Sequence, residues 1–231
     1  MLALGGCSAE STESSDVKTS GIYADLEVQV DGTGNADAEA TLRVGGADSN
    51  TYLQLANGDT LTASNGVAAY TLTRRGSGDW VRYGSVLPDT PDDAQVTISL
   101  HRPADQDAPS STVSLASAMT IAQPAQDGLT FSRFADDLVI AWTPVSSAQQ
   151  TSLSIGGGCL QPFSRDVTGF NGTLTISAKF LIKSGGVGAS NNCAATIRLE
   201  RPRSGQVDPN YGKGGRIIGT RYTQRVFLST P

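Results

Sequence analysis

The sequence predicts an all-β chain: two tandem β-sandwich domains behind a disordered N-terminal tether. Three observations predict it. An octapeptide occurs twice, as Val96–Pro103 (V-T-I-S-L-H-R-P) and Ala195–Pro202 (A-T-I-R-L-E-R-P), with identities at Thr97/Thr196, Ile98/Ile197, Leu100/Leu199, Arg102/Arg201 and Pro103/Pro202. A strand end repeated after 99 residues, a domain-sized interval, points to two similar domains. Apolar residues alternate along short stretches, and no segment keeps a 3.6-residue period for three turns. The 26 Gly and 10 Pro supply the turns that many short strands need.

The elements follow in order. Ser8–Ser20 is polar without periodicity and reads as a flexible tether. Ile22–Val30 places Ile22, Ala24, Leu26, Val28 and Val30 on one face, and Ala38–Val44 returns after the turn at Asp31–Asn35. Asn57-Gly58, between Thr51–Leu55 and Thr60–Ala63, predicts a hairpin, because both turn positions favour positive φ. Asn65-Gly66 predicts another, leading into Val67–Thr73. Trp80–Tyr83 is a candidate strand, Pro88–Asp93 a corner, and Val113 and Leu115 close the first domain. In each octapeptide the proline is expected to end the strand, since it cannot donate to a ladder.

Ile121–Gly128, with Gln123-Pro124 and Asp127-Gly128, is the expected boundary, giving domains 21–120 and 121–231 after the 1–20 tether. The second domain opens with Leu129–Phe131 and Leu138–Pro144, then Thr151–Ile155, Leu174–Phe180, the second octapeptide, a Gly-rich excursion (Ser204–Gly215) and Thr220–Leu228. About seven strands per half argue two Ig-like sandwiches. Leu138–Pro144 resembles the second strand of fibronectin type III domains, which implies that Trp142 plugs a sandwich core. Trp142 precedes both downstream cysteines, unlike the order in antibody domains.

Net charge is −5, unevenly spread: residues 1–120 carry 16 acids and 6 bases, residues 121–231 carry 6 acids and 11 bases. The first domain is therefore acidic and the second basic, which suits either docking of the halves or an anionic partner. No 18-residue apolar run is present to span a membrane.

Leu4-Gly5-Gly6-Cys7 resembles a bacterial lipobox, the cleavage signal of lipoproteins. The resemblance implies that Cys7 is acylated and becomes the first mature residue, and Ser8 in place of Asp implies the outer membrane. A full signal carries a basic n-region and an apolar core of roughly 7–15 residues. Only Met1-Leu2-Ala3 precedes the box, which leaves translation from farther upstream or a coincidental match. With Cys7 lipidated, Cys159 and Cys193 remain as an even pair in an oxidising compartment. A bridge closing that loop would stabilise by about 3–4 kcal/mol on the chain-entropy estimate.

The stock of chemistry is small. His101 is the only histidine, and no G-x-S-x-G elbow occurs, so a serine triad is not expected. Zinc lacks its ligands. Asp31-x-Thr33-x-Asn35-x-Asp37-x-Glu39 has oxygen ligands at alternate positions but lacks the central Gly and the acid at the twelfth position, and reads as a solvated turn. Gly205–Lys213 and Gly186–Gly188 fail as phosphate loops. No catalytic residue, cofactor or metal is expected.

One constellation invites a ligand. Arg221, Thr223 and Arg225 share a face of the last strand, and Arg198 opposes buried Ile197 and Leu199. Pairing of these strands would build an outward basic strip of Arg198, Arg221 and Arg225, with Arg201, Arg203, Lys213 and Arg216 at its end beside Tyr211. Such arginines bind carboxylate and phosphate or guard a sheet edge. The expected function is a non-catalytic cell-envelope lipoprotein that binds or scaffolds at the outer membrane. Its partners would be the membrane, through the lipid anchor, and an envelope protein, anionic glycan or lipid head group, with no nucleic acid. The alternative is a carbohydrate-binding or enzyme-accessory module, with Trp80, Tyr83 and Tyr211 as stacking platforms.

Overall fold

A computed structural model of the chain describes residues 9–184 and 191–231. Among the described residues all regular structure is strand, apart from two single-turn 3-10 segments, Ser14–Asp16 and Thr19–Gly21. Among the described residues no helix is long and apolar enough to cross a membrane. The chain forms two compact units: residues up to Leu115 together with Arg203–Thr220, and Ala116–Pro202 together with Arg221–Pro231.

Unit 1 is a two-sheet sandwich. Its first sheet contains β1 (Glu10–Glu13), β2 (Ile22–Val30), β3 (Ala36–Val44), β4 (Thr51–Gln54), β7 (Thr73–Arg75) and β8 (Arg82–Leu87). The strand order is β1-β4-β3-β2, with β8 on the other end of β3 and β7 on β8. The second sheet runs β10 (Ala108–Ser114), β9 (Gln95–His101), β5 (Thr60–Ser64), β6 (Ala69–Thr71). The β2–β3 hairpin shows how alternation builds the core. Ile22, Ala24, Leu26, Val28 and Val30 are sealed from water, and so are Ala36, Ala38, Ala40 and Leu42 facing them in register. Each larger aliphatic group buried this way stabilises by about 1.5–3 kcal/mol.

Unit 2 pairs the sheet β11 (Thr120–Gln123), β13 (Leu138–Thr143), β16 (Thr173–Ile176) with a sheet built on β17 (Cys193–Ser204), β14 (Ser152–Gly157) and β15 (Phe163–Asp166). β12 (Leu129–Ser132) lies parallel to the end of β18 (Gly215–Thr230). Trp142 is buried in this core with Ile140, Leu153 and Ile197, the position that the fibronectin resemblance implied. Cys159 and Cys193 form a disulfide.

Several elements differ from expectation, each for a physical reason. Glu10–Glu13 is no tether: it pairs in parallel with Thr51–Gln54, and Ser14 and Thr19 behind it are buried. Strand addition at a sheet edge uses main-chain groups and needs no apolar period. Asn57 and Gly58 both have positive φ, yet their turn carries the chain from β4 in one sheet to β5 in the other. Trp80 sits in the loop before β8 rather than in a strand.

The first octapeptide strand ends at His101, but the second continues through Pro202 to Ser204. The β14 register stops at Glu200, so on that side the proline faces no ladder position. The linear boundary near residue 120 also gives way. Tyr211, within the Gly-rich excursion, and Ile217, just after it, belong to the core of unit 1, and Asp208 accepts hydrogen bonds there from the Ser110 amide (2.8 Å) and hydroxyl (2.6 Å).

Candidate functional site

The polar face of the unit 1 sheet carries a lattice of paired charges. β2 presents Asp25 and Glu27 outward, and β3 presents Asp37, Glu39, Thr41 and Arg43, because the alternate positions are in the core. Asp25 accepts from Arg216 Nε at 2.7 Å and Nη2 at 3.2 Å, a two-pronged pair, and lies 3.9 Å from Arg43. Arg75 donates to both oxygens of Asp37 (2.6 and 2.9 Å) and to Glu39 (2.9 Å). Arg82 stands 3.6 Å from Glu39. Hydrogen bonds from Arg216 to Asp25, and from Arg75 to Asp37, raise the pKa values of both guanidinium groups above the ordinary arginine value. These cations stay charged at every working pH. Gly84 lets Arg75 reach across, since a Cβ there would lie 2.5 Å from its guanidinium.

At one end of this lattice stands Trp80, which is 61% exposed. Its ring stacks on Tyr52, with centroids 6.0 Å apart and planes 22° from parallel, and Arg43 rests 5.8 Å from the Tyr52 centroid. The loop that presents it is fixed. Gly76 and Gly78 take positive φ, Arg74 donates to the Gly78 carbonyl at 2.7 Å, and Ser11 donates to Asp79 at 3.1 Å. Asp25, Glu39, Arg43, Arg82, Arg216 and Trp80, with Glu27 and Thr41, line an open cleft of about 150 Å³. A planar aromatic beside preorganised carboxylate and guanidinium groups can stack one face of a ligand and hydrogen-bond its edge.

The basic strip does not form. β18 keeps one alternation throughout, with Ile217, Gly219, Arg221, Phe227 and Ser229 buried, so Arg221 and Arg225 share the inward face. Arg221 is 3% exposed. Arg225 donates to the Ile121 carbonyl at 3.0 Å and stands 3.8 Å from Asp127. Arg198 faces outward, but its guanidinium covers the Tyr222 ring at 3.7 Å and its Nε donates to Glu200 at 3.0 Å. Arg201 is buried and donates to Thr151 Oγ1 (3.0 Å) and the Pro144 carbonyl (2.8 Å). Arg203 donates to the Leu115 carbonyl at 2.9 Å, Arg216 is held by Asp25, and Lys213 is exposed. A buried guanidinium persists where oxygens accept its hydrogen bonds, as they do for Arg201.

Of the three expected platforms, Tyr83 and Tyr211 are buried and only Trp80 is exposed. The Tyr83 hydroxyl accepts from the Leu55 amide at 2.7 Å. Asp31 accepts from the Thr33 amide (2.8 Å) and hydroxyl (2.6 Å), while Asp37 and Glu39 turn to Arg75, so the alternating oxygens do not converge. Among the described residues no group of His, Cys, Asp or Glu is placed to hold a metal. Cys7 and Gly186–Gly188 lie outside the described residues.

No family model and no curated protein matches the chain. Among solved structures it is similar to a chimeric titin Z1Z2 functionalised with a KLER exogenous peptide from decorin: 10% identity, 90% of this chain and 94% of that one covered, TM-score 0.24. It is similar to the titin domains Z1Z2 in complex with telethonin: 10% identity, 88% and 94% covered, TM-score 0.24. It is also similar to SGBP-B of the Bacteroides ovatus mixed-linkage glucan utilization locus, in complex with a mixed-linkage heptasaccharide: 10% identity, 100% and 68% covered, TM-score 0.23. At such scores these likenesses carry no argument about function. The β-sandwich class rests on the chain's own sheets.

Proposed function

We propose that this chain is a non-catalytic binding module of the cell envelope, held at the outer membrane by a lipid on Cys7. The observation that carries the binding reading is the exposed Trp80 indole, stacked on Tyr52 beside a ring of ion pairs that is already assembled. Tryptophan is among the residue types most enriched at binding hot spots, and this one is held in place by its loop and by Tyr52. The Cys159–Cys193 disulfide supports an oxidising compartment.

Two experiments test the reading. Expressed from its native locus, Cys7→Ser should leave the membrane fraction, and unchanged fractionation overturns the anchor. A photo-reactive phenylalanine analogue at position 77, exposed on the same loop, leaves Trp80 in place and should crosslink to an envelope component in living cells. Absence of any such crosslink, with the protein folded and in place, overturns the binding surface.

A further inference from the structure

The cleft beside Trp80 is balanced in charge. Asp25, Glu27 and Glu39 line it together with Arg43, Arg82 and Arg216, so its formal charges cancel. Most of these groups are already engaged: Asp25 with Arg216 and Arg43, Glu39 with Arg75 and Arg82. Glu27 stands directly across the ladder from Glu39 and acts on Arg216 through its field alone. Such a surface offers many directional donors and acceptors without a net field.

A phosphate or uronate would find carboxylates beside every arginine, and a cationic ligand would find the reverse. An uncharged, polyhydroxylated ring meets neither penalty. A pyranose has one face of C–H groups, which lies well on an indole, and an edge of hydroxyls, which matches carboxylate and guanidinium forks. The cleft is open and, at about 150 Å³, well below the roughly 300–1,000 Å³ of enclosing ligand pockets. It has room for one ring of a chain lying across the sheet.

From the charge balance, the stacked indole and the open shape, we infer that the Trp80 cleft of unit 1 binds a neutral glycan chain, one sugar ring stacked on Trp80 with its hydroxyls on Asp25, Glu27 and Arg82. This inference rests on the binding-module reading and names its ligand class. It needs neither Tyr83 nor Tyr211.

The test is affinity electrophoresis and fluorescence titration of the full chain with neutral glycans (laminarin, mixed-linkage β-glucan, xyloglucan, galactomannan, dextran) and with two acidic ones, polygalacturonate and alginate. Because Trp142 is buried, ligand-induced change in emission reports Trp80. At least one neutral glycan should retard migration and shift emission, with an affinity unchanged between about 0.05 and 0.5 M salt. Trp80→Ala should weaken it by about tenfold or more, and Trp80→Phe by less. Glu27→Gln should weaken it while leaving the melting temperature unchanged.

Binding of acidic glycans only, full affinity in Trp80→Ala, or no binding by any neutral glycan overturns the inference. If glycans fail while the position-77 crosslink to an envelope protein forms, the binding module stands and the sugar falls. If both fail, both fall.

Discussion

Arg102 donates through Nε to Asp59 at 2.8 Å, and the two side chains are 3% and 6% exposed. The same guanidinium donates to the carbonyls of Ser14 and Val17 (2.8 Å for Val17), to Thr19 Oγ1 (3.0 Å) and to Asp105 (3.1 Å). The first octapeptide thus ends in a buried hub that ties its strand to the N-terminal segment. Arg201, the matching residue of the second copy, is likewise buried at its strand and bonded to Thr151 and Pro144.

Removing that hub should be expensive. Arg102→Met leaves a carboxylate and two carbonyls buried without their donor, and breaking a buried pair from one side costs about 3–5 kcal/mol. Urea unfolding followed by far-UV circular dichroism should show a loss of that size. Arg102→Met combined with Asp59→Leu should lose less than the two changes summed. A loss below 1 kcal/mol would contradict the role given to the hub.

Acid should loosen the same corner. The Thr19 amide, donating at 2.7 Å, is the main reason that the Asp105 carboxyl titrates below its ordinary value, with a further amide and Arg102 adding to it. Its folded pKa is depressed, so its contribution is complete above the unfolded value near 3.9 and is lost as pH falls through the folded value. The stability difference between wild type and Asp105→Asn should therefore hold at pH 6 and shrink below about pH 4. A difference that stays constant to about pH 2 would refute this assignment.

Alkali acts on a different residue. Burial, with Asp208 nearby, raises the Tyr211 hydroxyl well above its usual value, and that oxygen makes no hydrogen bond among the described residues. The folded state keeps the proton while the unfolded state releases it, so stability falls as pH climbs beyond about 10. Tyr211→Phe should flatten this decline and be neutral or stabilising by up to about 1 kcal/mol at pH 7. Equal slopes for the two proteins above pH 10 would exclude Tyr211 as the source.

The disulfide can be read through the buried indole. In a Trp80→Phe background, Trp142 emission reports unit 2 alone. Replacing both Cys159 and Cys193 by Ser should lower stability by about 2–5 kcal/mol. Arg133 donates to Cys159 Sγ at 3.7 Å, to Ser229 at 2.8 Å and to the Asn191 carbonyl at 2.8 Å, which braces the same region. An unchanged urea midpoint would mean that these contacts suffice without the covalent link.

The core was legible because alternation and burial coincide. Ile22–Val30 and both octapeptide strands bury the residues that their period singles out. Alternation failed where neither face is plainly apolar. At the end of β18, Val226 and Leu228 sit opposite Arg221 and Arg225, and hydrophobicity alone favoured the wrong side. The strand's earlier residues, Ile217 and Gly219, had already fixed which positions point inward.

The turn at Asn57-Gly58 was legible as a local reversal, but local dihedrals do not say whether a ladder continues across it. The charge lattice left a readable signal in Asp25, Glu27, Asp37 and Glu39, alternate acids on neighbouring strands. Apart from Arg43 on β3 itself, their arginine partners come from β7, β8 and β18, which only the fold brings together.

The parallel pairing of Glu10–Glu13 with Thr51–Gln54 bears on how an acyl chain would hold the protein. Only Ser8 and Ala9 lie between Cys7 and Glu10, and three extended residue steps reach at most about 11 Å. On so short a leash unit 1 would ride against the lipid headgroups rather than sway above them. The Trp80 loop, knotted to Ser11 through Asp79, would then sample only what lies within a few nanometres of the bilayer surface.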